Sequence, residues 1–295
     1  MAPRRGTVRR TVVRVEDKVR VGPDGQVDDK AVIITPMRPA RTDPFLLLSE
    51  DWFSSPGFEW HPHRGLETVT LVVDGVLEHG DNAGNNGALA TGDVQWMTAG
   101  RGVIHRELAF RNERAHILQL WVNLPGEKKM VDTRYQDLLA VDRPVIEHAG
   151  ARVDLISGTA GGVTGPARNH WPISGAVITL EPNTRLDHVL PARDRAFFYV
   201  LSGRLTVAGR PVRAGQIAWS DPVPGAANGS TATLETGDGD APTVVMAYSG
   251  KPINQHVEMD GPFVMNSRAE IARAFRDFHG GKFGAIPRQA RLKYR

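Results

Sequence analysis

The sequence predicts an all-β protein of two tandem barrels, with a short linker helix and one C-terminal helix. Three observations predict it. Short runs rich in β-branched and aromatic residues alternate with Gly, Pro and polar turns; one pattern of strands and turns occurs twice; and a single segment carries a full set of helix signals.

The strand-like runs include ETVTLVV, HILQLWVNL, AVITLE, FFYVLS and TVVMAYS, each bounded by turn residues. Many short strands with few helices indicate antiparallel sandwiches or barrels. The repeat lays TLVVDGVLEHGDNAGNNGALATGDVQWM over FYVLSGRLTVAGRPVRAGQIAWS. It matches Gly75 to Gly203 at an offset of 128, and Gly92 and Trp96 to Gly215 and Trp219 at an offset of 123. Each copy reads strand, Gly turn, strand, loop, then a glycine leading into a strand that carries Trp.

In NSRAEIARAFRDFHGG, Ser267 with Glu270 forms a capping box, Ile271, Phe275 and Phe278 form an apolar face, and Gly280 supplies the stop. A weaker helical pattern, MVDTRYQDLLA, precedes Asp142-Arg143-Pro144 and is expected to link the barrels. The expected organisation is a flexible basic tail over 1–20, a metal-binding barrel over 21–135 and a linker over 136–148. A second barrel without metal ligands occupies 149–287, including the helix near 268–279, and a second basic tail covers 288–295.

A chain of 295 residues with 41% hydrophobic content can give two domains a core each. With no cysteine, disulfides, zinc fingers and iron–sulfur clusters are excluded, and any metal must be held by nitrogen and oxygen. The net charge of +3 comes from the ends: seven Lys/Arg against Glu16 and Asp17 in the first 20 residues, and four Lys/Arg with no acid in the last eight. The body between them is acidic, so the basic whole-chain balance does not indicate a nucleic-acid-binding face. With neither an export-type apolar stretch nor a membrane-length one, a cytoplasmic protein is expected.

The chemistry lies in two short motifs. In HPHRGLETVTLVVDG, His61 and His63 stand at i and i+2 on one strand face, about 6.6 Å apart along the chain. In GDVQWMTAGRGVIHRE, His105 and Glu107 repeat that spacing 42 residues beyond His63, a distance that suits return to the same barrel end. Three imidazoles and a carboxylate suit Fe(II), Mn, Ni, Cu, Co or Zn and leave positions open on an octahedral ion. Glu67 is the rival oxygen ligand, but on a regular strand it lies about 13 Å beyond His63, so Glu107 is preferred.

The repeat offsets carry His61 and His63 onto Val189 and Pro191, and His105 and Glu107 onto Asn228 and Ser230, so the second copy keeps the strands and loses the ligands. Single histidines are read plainly: His188 as a surface residue, His79 in a solvated hairpin loop, His116 packed in a strand. Trp96 and Met97 are read as core that could also wall a pocket.

The pieces DPFLLL, HPHRGLETVT, GDVQWMTAGRGVIHRE, GKPINQ and GPFVMN together resemble the pirin family of the cupin superfamily, and they span most of the chain. The resemblance implies two jelly-roll cupin barrels (a bicupin) with a metal only in the N-terminal one. Its ligands would be His61, His63, His105 and Glu107, and its usual metal iron(II). The general cupin pattern has two residues between the glycine and histidine of its second motif; here four separate Gly100 from His105, which favours the pirin variant. The resemblance further implies a quercetinase-like dioxygenase that opens a phenolic flavonol with O₂ and releases carbon monoxide, with Glu107 as ligand and catalytic proton acceptor. The alternative it implies is an iron-dependent regulatory protein with a protein partner.

Overall fold

The computed structural model describes residues 8–54, 57–224 and 229–286. The expected tail at 288–295, and the first seven residues of the tail at 1–20, lie outside them. Among the described residues the regular structure is mostly β-strand, with short 3₁₀ turns and one α-helix, α1 (Arg268–His279). It divides into two compact units, one of residues 19–140 with 253–286, the other of residues 8–18 with 141–252.

In the first unit the site is positioned by β1 (Phe45–Phe53), β2 (Phe58–His63), β3 (Leu66–Asp81), β4 (Val94–Thr98), β5 (Val103–Ala109), β6 (Ala115–Asn123) and β7 (Arg134–Leu138). The main sheet runs β7-β4-β3-β6-β1, and β5 pairs with both β2 and β3. All these pairings are antiparallel. Val69, Leu71, Trp96, Ile117 and Leu120 are buried between these strands.

The predicted linker helix is replaced by β7, where Tyr135 and Asp137 pair with Met97 and Gln95 of β4. Strand pairing wins there, and Gln95 Nε2 donates to Asp137 Oδ1 at 3.0 Å across the β7–β4 ladder. Beyond β7 the chain makes a single 3₁₀ turn at Ala140–Asp142.

α1 has the predicted N-cap at Ser267, and the return bond of Glu270 goes to Asn266 N, one residue before the cap, rather than to Ser267 N. Glu270 N donates to Ser267 Oγ at 3.3 Å, and the Glu270 carboxylate accepts from Asn266 N at 3.1 Å. The helix belongs to the first unit rather than to the second barrel, which corrects the expected range 149–287. Its Ile271 and Ala274 pack with Phe263, Phe283 and Ile104, giving its apolar face a cover that sequence distance from the first barrel concealed.

In the second unit, β8 (Arg185–Leu190), β9 (Arg195–Ser202), β10 (Gln216–Ser220), β11 (Ser230–Glu235) and β12 (Thr243–Gly250) repeat the pattern around an apolar interior that includes Leu190, Phe198, Ala232 and Leu234. Residues 8–20 are not a tail, because Val8–Arg9 pairs with β11, Arg14–Asp17 with β10 and Val19–Arg20 with Asp29–Ile34. Arg10 is buried at 3% exposure and donates to Ser230 Oγ, Ser220 Oγ and the carbonyls of Asp221, Pro191 and Asp194. A guanidinium with every N–H satisfied can be buried, and this is what paired arginines in a charged segment hide from a composition reading.

The ladders also refine the repeat. Val69↔Trp96 in the first barrel answers Phe197↔Trp219 in the second, which keeps the offsets of 128 and 123. His61↔His105, however, answers His188↔Ala232, an offset of 127 in both strands. The second copy carries one more residue between β8 and β9 and four more between β10 and β11. The counterparts of the four expected ligands are therefore His188, Leu190, Ala232 and Leu234, all buried, whereas Val189 faces outward at 56% exposure.

Candidate metal centre

His61 and His63 end β2, and β5 runs back beside it with His105 opposite His61. The strand pleat puts all three imidazoles on one face. Their ring centroids lie 4.3 Å (His61–His105), 4.9 Å (His61–His63) and 5.1 Å (His63–His105) apart. One nitrogen from each lies within 4.8 Å of the other two, near enough to make the three a group that could hold one ion.

The outward-facing bonds select the ring nitrogens. His61 Nδ1 lies 2.7 Å from the Glu59 carbonyl and His63 Nδ1 3.2 Å from the Pro262 carbonyl, so each Nδ1–H donates and each Nε2 keeps its lone pair. Neither ring nitrogen of the buried His105 has a hydrogen-bond partner among the described residues. Burial pushes all three imidazoles below their ordinary pKa, His63 to about 3. They are neutral at pH 7, the form a metal requires. Three neutral, converging imidazoles and an orphaned buried ligand fit a divalent transition ion.

Glu107 is buried on β5, but its carboxylate stands outside that close triplet. Oε1 accepts from Thr70 Oγ1 at 2.9 Å and Oε2 from Gln119 Nε2 at 2.8 Å. Burial raises its pKa, and those two hydrogen bonds pull it down. Glu67 is also fully buried, with Oε1 accepting from Thr98 Oγ1 at 2.7 Å, and it stands outside the triplet as well.

The turn joining β2 to β3 is clamped by the C-terminal segment. Arg64 Nη1 meets Asp277 of α1 at 2.9 Å, and the buried Lys129 donates to the carbonyls of Gly65 and Val264 and to Asn123 Oδ1. The His63 ring also meets the Trp121 ring edge-on at 5.1 Å.

His79 is not in a solvated loop. It is 2% exposed on β3 opposite Glu107, with Nε2 3.2 Å from Asp137 and its ring stacked on Tyr135. His188 is not on the surface but inside the second barrel against Phe198, where burial pushes its pKa to about 4. His116 is in a strand as expected, 2.9 Å from Glu50 and stacked on Trp52. Trp96 and Met97 are fully buried core. Sequence reasoning missed Thr70, Gln119 and Pro262. Gln119 left a signal, as a lone amide inside the apolar run HILQLW; the Pro262 carbonyl left none.

Two all-β barrels, with one cluster of converging imidazoles among the described residues, define a bicupin with a candidate metal centre. The Pirin family model matches residues 15–122, and the Pirin C-terminal cupin domain matches residues 175–284. A pirin-like protein of Solanum lycopersicum is 38% identical over 250 residues, covering 82% of this chain and 82% of that one. A protein of Pseudomonas aeruginosa named as a candidate quercetin 2,3-dioxygenase is 38% identical over 264 residues, covering 82% of this chain and 87% of its own. The crystal structure of an Acinetobacter baumannii quercetin 2,3-dioxygenase superposes with a TM-score of 0.83 at 31% identity, covering 95% of this chain and 100% of that one. The chain belongs to the pirin family.

Proposed function

We propose that this chain is a metal-dependent dioxygenase of the quercetin 2,3-dioxygenase type, with iron(II) held by His61, His63, His105 and Glu107. The observation that carries the proposal is the triplet of neutral imidazoles with no competing partner for His105 among the described residues. The names of the Pseudomonas and Acinetobacter proteins support the substrate class, a flavonol, and O₂ as co-substrate.

The bound ion would supply Lewis acidity toward the flavonol hydroxyl and a meeting point for substrate and O₂. The rest of the work belongs to the side chains. Glu107 is a carboxylate whose burial makes it a stronger base than a surface glutamate, which supports its reading as the acceptor of the hydroxyl proton. Thr70 and Gln119 stabilise the charge it holds before that transfer. The Glu59 and Pro262 carbonyls fix the rings of His61 and His63, so the ligand geometry is set before substrate arrives.

Protein loaded anaerobically with iron(II) and then given quercetin and O₂ is expected to bleach the flavonol absorption band and release carbon monoxide. His61→Ala should lower the rate at least 100-fold, on the order expected for losing a metal-site group. A flavonol band that persists in loaded wild type, or decays equally in His61→Ala, refutes the activity.

A further inference from the structure

Thr70 Oγ1 has one proton and two acceptors, Glu107 Oε1 at 2.9 Å and Gln119 Oε1 at 2.8 Å. Gln119 Nε2 meanwhile donates to Glu107 Oε2 at 2.8 Å, so the three side chains close a ring. All three are buried, on three neighbouring strands, with Thr70 directly opposite Gln119 in the β3–β6 ladder. The asymmetry of the ring has a mechanical consequence. The Gln119 amide donates to Oε2 and can hold it throughout, whereas Thr70 can turn its proton from Glu107 to Gln119 without losing a hydrogen bond. Oε1 can thus be released from its hydrogen bond while Oε2 stays anchored.

We propose that Gln119 and Thr70 are positioning residues that present Glu107 to the metal, Gln119 as a fixed anchor and Thr70 as a hydroxyl swivel that surrenders Oε1. The assignment rests on the reading of Glu107 as the fourth ligand. It predicts a site that passes between three-histidine and three-histidine-one-glutamate coordination without a strand moving.

The test is cobalt(II) titration of the metal-free protein, followed by the visible d–d bands, which respond to ligand number and geometry. Glu107→Gln should shift the bands and weaken binding. Gln119→Leu should shift them toward the Glu107→Gln spectrum and weaken cobalt binding about 10-fold or more, the usual cost of losing a partner that orients a ligand. Thr70→Val, which removes the donor that competes with the metal for Oε1, should tighten it several-fold, and Thr70→Ser, which keeps the hydroxyl, should match wild type. The Thr70 pair carries the test should Gln119→Leu not fold. A normal spectrum and affinity in Gln119→Leu and Thr70→Val, beside an altered Glu107→Gln, overturns the positioning role and leaves the ligand intact. A Glu107→Gln protein identical to wild type overturns the ligand reading and the positioning role with it.

Discussion

At the scale of single residues, equivalent positions in the two barrels hold opposite chemistry. His61 has two imidazole neighbours, while its counterpart His188 pairs with Ala232 and meets the Phe198 ring. A buried imidazole resists protonation, and burial, with His148 and Arg10 adding to it, pushes His188 to about 4 from the ordinary 6.5. Its folded pKa is the lower one, so its contribution to stability is full above about 6.5 and is lost as pH falls toward 4. Chemical denaturation at pH 7 and pH 4.5 should therefore show wild type losing about 2–3 kcal/mol more than His188→Leu. Equal losses would place the imidazole in contact with water. Both residue pairs of the candidate site, His61 with His63 and His105 with Glu107, were legible in the sequence because ligand chemistry is confined to a few residue types at i and i+2 spacing. The burial of His188 and His79 was not, because a lone histidine carries no sequence mark of which way its strand faces.

At the scale of elements, the β2–β3 turn fixes where His63 points. Gly65 has φ +80, and a Cβ there would meet the Val264 carbonyl oxygen at 2.0 Å, a backbone atom that cannot give way. Gly84 also has a positive φ, +98, but nothing lies within 4 Å of its Cβ position. Gly65→Ala should lower stability by several kcal/mol and weaken metal binding, whereas Gly84→Ala should cost about 1 kcal/mol and leave the metal alone. Thermal melts with and without metal distinguish them, and equal effects would refute the clamp by the C-terminal segment. The α1 boundaries were readable because an N-cap and a stop glycine are local devices. β7 was not, because its strand state depends on pairing with β4 about 40 residues earlier, and local propensity in MVDTRYQDLLA favours a helix.

At the scale of the whole molecule, the repeat showed two barrels but not which terminal segments complete them. Residues 8–18 complete the unit holding the second barrel and residues 253–286 the unit holding the first, so the chain order of the pieces is not their order in the fold. Long-range pairing of this kind leaves only alternation in the sequence, and in the N-terminal segment arginine pairs obscured it. Only the first barrel brings three candidate ligands together among the described residues, so metal should stabilise that unit selectively. At about 100 times its Kd, a bound ion stabilises the folded state by about 2.7 kcal/mol. Calorimetry should show that gain in wild type and lose it in His63→Ala.

The most direct measurement of the central claim is the metal content of the purified, dialysed protein beside His105→Ala, read by inductively coupled plasma mass spectrometry. Three converging neutral imidazoles predict close to one transition-metal ion per wild-type chain and a small residue in the variant. A full complement in His105→Ala would contradict the site.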